Sequence, residues 1–257
     1  MSLSRVPEVT ATFWILKLLT TGIGETGSDF FVKTFDPVPV VLIAAIVFAA
    51  CFVIQFSAAR YVPWRYWLFV LMVAVFGTMV ADVTHIVFDV PYAASSAAFA
   101  ALLVVALVVW RRVEGTISVH TISTSRRELF YWVVVLVTFA LGTAWGDLTA
   151  TALGLGYLGS GIVFAVLFAI PLTLNRLRVA DTATFWAAYI VTRPLGASFA
   201  DWVAVTPARG GLNLGTGAIS IAGLVVIALG VAWLQVGRSR RAAAGSPRRS
   251  AVSAPLP

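Results

Sequence analysis

Trp14-Ile-Leu-Lys-Leu-Leu-Thr-Thr-Gly-Ile-Gly-Glu-Thr-Gly-Ser-Asp29 carries a tryptophan, a glycine ten residues on and an aspartate fifteen on, and the spacing returns three more times. The further copies are Trp67/Gly77/Asp82, Trp132/Gly142/Asp147 and Trp186/Gly196/Asp201. Each lies in a strongly apolar stretch. The chain therefore repeats one unit four times and puts a carboxylate in each where a carboxylate is costly.

Composition sets the solvent. The chain has 257 residues, 60% of them hydrophobic and 11% charged, and a mean hydropathy of +0.95; soluble domains carry roughly 25% charged residues. An integral membrane protein is expected. Segments of about 20 mainly apolar residues, long enough to cross ~30 Å of hydrocarbon, fall at 10–32, 38–58, 66–88, 92–110, 129–152, 158–175, 183–205 and 214–236. The first holds Lys17 and Glu25 and has no small-residue cleavage pattern, so it reads as a retained helix rather than a signal peptide. Cys51, the lone cysteine, excludes an internal disulfide framework and a cysteine-based zinc site. The expected fold is an all-α polytopic bundle of eight transmembrane helices from four parallel helical hairpins. It occupies a membrane domain, 1–237, with repeats at about 9–58, 62–112, 127–176 and 181–236. A disordered basic cytoplasmic tail, 238–257, follows.

The net charge of +7 is a topology signal. Arg5, Arg60, Arg65, Arg111, Arg112, Arg126, Arg127, Arg176, Arg178 and the five tail arginines lie at the N-terminus, in even-numbered loops or in the tail, against Lys33 and Arg209 in the other loops. The positive-inside rule then places both termini in the cytoplasm, and the cell (inner) membrane is the expected location. Basic residues beside anionic lipid need no nucleic-acid partner. The expected partners are the bilayer, a small cation or proton, and a second copy of the chain in a homo-oligomer.

Each repeated Trp reads as an interface anchor. The Gly, about 15 Å deeper, is where helices approach closely, and the Asp lies deeper still. At ~100° per residue, positions three, seven, eleven and fifteen after the Trp make one stripe. It reads Lys17, Thr21, Glu25, Asp29 in the first unit and Tyr189, Arg193, Ala197, Asp201 in the fourth. In the second and third it is apolar until Thr78/Asp82 and Thr143/Asp147. His85 follows Asp82 by one turn and has two open readings, a local hydrogen bond to Asp82 or a metal ligand.

Ionisable groups at membrane depth are functional candidates. Glu25, Asp29, Asp82, Asp147 and Asp201 are the ion-binding candidates, Lys17 and Arg193 their counter-charges, and Thr21, Thr78, Thr143 and His85 further contributors; no metal is specified. Fully ionised, the five acids outweigh the two bases, which calls for cations or protons. The competing reading is that the acids cap or bridge helices and hold the bundle together. The glycine-rich runs Gly154–Gly161 and Gly211–Gly217 read as tight turns, because no Lys follows as a phosphate loop requires. The loop from Glu114 to Glu128 reads as a topogenic linker, with a gate between the two halves as its alternative.

Gly24-Glu-Thr-Gly-Ser-Asp29, Phe130-Tyr-Trp132 with Gly142-Thr-Ala-Trp-Gly-Asp147, Thr192-Arg-Pro-Leu-Gly-Ala-Ser-Phe-Ala-Asp201-Trp202 and His120-Thr-Ile-Ser-Thr-Ser-Arg-Arg-Glu128 resemble the bacterial membrane proteins of the DUF347 repeat family. The resemblance covers about residues 7–236. It implies four repeats of two transmembrane helices with a characteristic Trp, and no activity. From the residues themselves the expected function is secondary transport or export of a small cation, divalent or proton-coupled, through a carboxylate-lined site. Oxygen ligands suit hard cations such as Mg²⁺ or Mn²⁺. No resident cofactor and no catalytic residue are expected. The alternatives are a non-transporting scaffold or signalling protein and an intramembrane enzyme acting on lipid or quinone.

Overall fold

The computed structural model describes residues 4–177 and 179–244, with backbone alone at 241–244. Among them are eight α-helices and no strand: α1 (Ala11–Thr34), α2 (Pro37–Phe56), α3 (Pro63–Ile86), α4 (Tyr92–Glu114), α5 (Ser125–Asp147), α6 (Gly156–Arg176), α7 (Asp181–Ala204) and α8 (Thr216–Ala244). Local chemistry sets the ends. Thr10 accepts from the Phe13 N–H at the start of α1, and Thr124 from Arg127 at the start of α5. Asp36 caps α2 ahead of Pro37, whose missing N–H costs nothing at a first helical position. Gly115, left-handed at φ 72°, stops α4. One π-turn, Leu148–Ala152, extends α5 directly after Asp147.

Six helices are long and apolar enough to cross a membrane: α2, α3, α4, α5 with its π-turn, α6 and α8. The chain is a multi-pass membrane protein. Helices α1 and α7 have 24 residues each but fall short in apolarity, because they carry Lys17, Glu25, Asp29, Arg193 and Asp201. Sequence reading counted eight spans by length; the two that fall short are the two that carry the inner charges.

The packing is cyclic. Helices α1, α3, α5 and α7 form an inner ring in which each touches the next and α7 closes on α1. The other four lie outside, α2 on α3, α4 on α5, α6 on α7 and α8 on α1, while the two helices of one repeat touch each other little. Each outer helix thus covers the inner helix of the following repeat, so no single repeat buries its own apolar face. Only 11% of the apolar window of α2 and 17% of that of α8 is buried, against 50% for α3 and 72% for α5.

The repeated glycines make the ring. A Cβ placed on Gly24 would overlap Ala74 Cβ; on Gly77 it would lie 2.7 Å from Phe139 Cβ; on Gly142 it would overlap the Arg193 side chain and lie 2.9 Å from Pro194 Cδ; on Gly196 it would lie 2.9 Å from Thr21 Cβ. Ala74, Phe139, Arg193 and Thr21 are all the seventh residue after their own Trp. The same close contact, tenth position on seventh, therefore recurs four times and returns to its start.

Two expectations are corrected. Trp67, Trp132 and Trp186 are buried core residues, so these three are not interface anchors, whereas Trp14 is half-buried. Each meets other aromatics, as Trp132 meets Phe69 at 4.5 Å and Trp186 meets Trp110 at 5.7 Å, because interlocking repeats bury a face that a lone hairpin would leave open. The second concerns the tail: α8 continues to Ala244, into the stretch read as disordered, since Arg and Ala are strong helix formers. Residues 245–257 and Arg178 lie outside the described residues.

Candidate functional site

The inner ring holds a polar centre between two different ends. At the Trp end the residue before each Trp is aromatic, Phe13, Tyr66, Tyr131 and Phe185, and all four are buried. Phe13 and Phe185 lie 6.1 Å apart, and the Tyr66 and Tyr131 hydroxyls share a 2.5 Å hydrogen bond. The N-terminal segment straps this end. Arg5 N–H donates to Ile122 O at 2.9 Å, Tyr61 N–H donates to Ser4 O at 3.0 Å, and Val6 is buried against the cluster. Arg5 also pairs with Glu128 at 2.7 Å; Glu128, fully buried, accepts a second bond from Gln55 at 2.7 Å and lies 3.4 Å from the Trp132 N–H.

One turn inward sits Lys17, 1% exposed. Its ammonium has no hydrogen-bond partner and rests 3.8 Å from the Phe139 ring centre and 4.1 Å from that of Tyr189, where the ring faces attract a cation.

The next level is the centre of the site. Arg193 of α7 is wholly buried and reaches across the ring. Its Nη2, with two hydrogens to give, lies within hydrogen-bond distance of Glu25 Oε2 of α1 at 2.5 Å, Thr143 Oγ1 of α5 at 2.8 Å and Thr78 Oγ1 of α3; its Nη1 donates to Thr21 O of α1 at 3.2 Å. Glu25, Thr78 and Thr143 are all the eleventh residue after their Trp, and Ala197 is the fourth. Arg193, from one turn earlier, spans the place where the fourth repeat has no polar side chain at that level.

Toward the other end lie the repeated aspartates. Asp201 is buried, while Asp29, Asp82 and Asp147 are half-buried. Asp29 pairs with Lys33. Asp82, Asp147 and Asp201 lie within electrostatic reach of Glu25 and Asp29. Hydroxyls accompany them: Ser198 donates to Ser160 at 3.2 Å and Ser220 to Thr26 at 2.9 Å. Among the described residues no three His, Cys, Asp or Glu side chains come together as a metal-binding group.

The ring thus brings together Glu25, Thr21, Thr78, Thr143 and Arg193, with Lys17 one level away and the aspartates beyond. His85 stands apart. Its ring contacts Val90 O at 3.0 Å and Ser95 Oγ at 3.4 Å and packs on Tyr92, so it ties the α3–α4 connection. The central loop is held by ion pairs, Arg126 and Arg127 with Glu114 and His120 with Asp181. The expectation of tight turns at the glycine-rich runs is corrected: Gly156–Gly161 is the start of α6 and Gly217 lies in α8, and left-handed Gly154, Gly156 and Gly215 stand at the entries to those helices.

Sequence reasoning passed over the four aromatics before the tryptophans, although Phe13-Trp14, Tyr66-Trp67, Tyr131-Trp132 and Phe185-Trp186 repeat as plainly as the aspartates do. It also gave Glu128 no buried role; its partners are 73 and 123 residues away, and no local signal finds them.

A family described as Repeat of Unknown Function (DUF347) matches the chain four times, at residues 12–61, 65–116, 130–178 and 184–240. No curated protein and no solved structure matches it.

Proposed function

We propose that this chain, which belongs to the DUF347 repeat family, is a membrane transporter that carries a small cation or proton along the axis of the α1/α3/α5/α7 ring. On this reading all eight helices cross the membrane as four parallel hairpins. Helices α1 and α7 cross in spite of their charges, because ring neighbours rather than lipid surround those groups. Both termini lie on the cytoplasmic side of the inner membrane of a bacterial cell, which the arginine distribution supports.

The observation that carries the proposal is the convergence of Glu25, Thr78, Thr143 and Arg193, one from each inner helix, at one level of a ring whose far end holds four more carboxylates. The aromatic cluster and N-terminal strap close the Trp end, so the cation reaches the centre from the aspartate end. The sequence has no ATP-binding motif, and on this reading an ion gradient or a partner supplies the energy.

The test is flux into proteoliposomes carrying purified protein. Glu25→Gln/Asp29→Asn abolishes cation or proton flux while the protein still elutes as a folded species in detergent. Undiminished flux through that folded double variant refutes the proposal, and absence of any cation flux through wild-type protein leaves the scaffold reading in its place.

A further inference from the structure

We infer that Glu25, Thr78, Thr143 and the Thr21 carbonyl form a site for one monovalent cation, in which the Arg193 guanidinium is a tethered competitor. The inference rests on the reading of the ring axis as a cation path and names the class of cation.

The lining atoms fit a cation. All four partners of the guanidinium are oxygens: a carboxylate, two hydroxyls and a main-chain carbonyl. Each hydroxyl has its own use for its hydrogen. Thr78 donates to Ala74 O at 2.9 Å, with Glu25 Oε2 as a longer alternative at 3.3 Å, and Thr143 donates to Phe139 O at 3.3 Å; with the shorter bond made, the Thr78 lone pairs face the centre of the ring. Hydroxyl and carbonyl oxygens with a carboxylate are the ligand set of hard cations.

Charge decides between one and two. The cage holds a single formal negative charge, that of Glu25, and Lys17 Nζ, one turn away, has no hydrogen-bond partner. A monovalent ion neutralises the carboxylate. A divalent ion would leave one charge that no ligand of the cage balances, which is costly in a low-dielectric interior.

The competition requires Arg193 to leave the cage. Its side chain runs past Gly142, where any Cβ would block it, and its Nε has no partner. Asp82 and Asp147 already feel its charge. A swing toward those carboxylates would vacate the cage and keep the guanidinium near negative charge. Arg193 and the transported ion thus compete for Glu25, and a covalent tether gives the guanidinium a high effective concentration there.

The experiment is thermal unfolding of purified Arg193→Ala in detergent, titrated with NaCl, KCl or guanidinium chloride at millimolar levels. N-methylglucamine chloride is the ionic-strength control, and MnCl₂ and MgCl₂ are the divalent arms. A ligand that binds only the folded protein raises its melting temperature saturably. At least one monovalent cation is expected to do so in Arg193→Ala, and none in Arg193→Ala/Glu25→Gln. No saturable rise, an equal rise in both variants, or a larger rise with a divalent ion overturns the inference. If Arg193→Ala cannot be purified, wild-type flux decides: it must saturate with Na⁺ or K⁺ and be inhibited by guanidinium, and divalent flux insensitive to guanidinium overturns the site. Saturable binding without flux removes the transport reading and leaves the site; flux without saturable binding does the reverse.

Discussion

Gly24 and Gly27 lie one turn apart in α1 and face different surroundings, which makes them a matched pair for testing the closed ring. A Cβ on Gly27 would meet nothing nearer than 3.9 Å, whereas one on Gly24 would overlap Ala74 Cβ and lie 3.0 and 3.1 Å from the Ala74 carbonyl carbon and Cα. None of those Ala74 atoms can rotate away. Both Gly→Ala changes gain the same helix propensity, about 1 kcal/mol, so the difference between them isolates the contact. Forcing a methyl group into a filled space costs about 1–3 kcal/mol. Gly24→Ala is therefore expected to be less stable than Gly27→Ala by that amount. At about 2–4 °C per kcal/mol for a chain of this size, the separation is readable by thermal unfolding of the two variants in one detergent. Ala74→Gly itself costs about 1 kcal/mol of helix propensity, but it removes the opposing Cβ, so Gly24→Ala should cost much less in an Ala74→Gly background than in wild type. If Gly24→Ala melts with Gly27→Ala, or costs the same in both backgrounds, α1 and α3 do not make the contact on which the cyclic packing depends.

Glu25→Gln leaves the buried Arg193 guanidinium without its carboxylate and should cost about 3–5 kcal/mol; adding Arg193→Gln to it is expected to return most of that stability, and a double variant no better than the single refutes the pairing. Glu128→Ala strands Arg5 and Gln55 together and should destabilise by a similar ~3–5 kcal/mol. It should also expose the N-terminal strap to limited proteolysis, and unchanged cleavage near Arg5 would show that the ion pair does not hold the strap. Trp186→Phe removes the N–H donated to Ile117 O at 2.9 Å but keeps an aromatic ring in the core. The expected loss is about 1 kcal/mol, and a loss several times larger would mean that the shape of the indole, not its hydrogen bond, holds the central loop.

Much of the molecule is legible in one dimension. The segment read at 10–32 is the helix Ala11–Thr34, that at 38–58 is Pro37–Phe56, and that at 183–205 is Asp181–Ala204. Hydropathy, prolines at helix starts and capping hydroxyls act over a few residues, so they can be read from the chain directly. The stripe at positions three, seven, eleven and fifteen picked out Lys17, Thr21, Glu25, Thr78, Thr143 and Arg193 because helical periodicity is also local. What periodicity could not supply is the partner. Arg193 finds Glu25 across 168 residues, and only closure of α7 onto α1 brings them together.

The sequence by itself determined the membrane setting, the fourfold repetition and the positions at which a polar residue departs from it. The tertiary structure decided what a repeat packs against. Two apolar helices joined by a short turn could cover each other, and the spacing of Trp, Gly and Asp is silent on that choice. The glycines decide it only in three dimensions, where each admits the seventh residue of the next inner helix and the fourth contact closes the ring. Closure buries tryptophans that a separate hairpin would leave at the interface. It also brings charges scattered over α1 and α7 together, because an ionised group removed from water is tolerable only where another chain segment meets it.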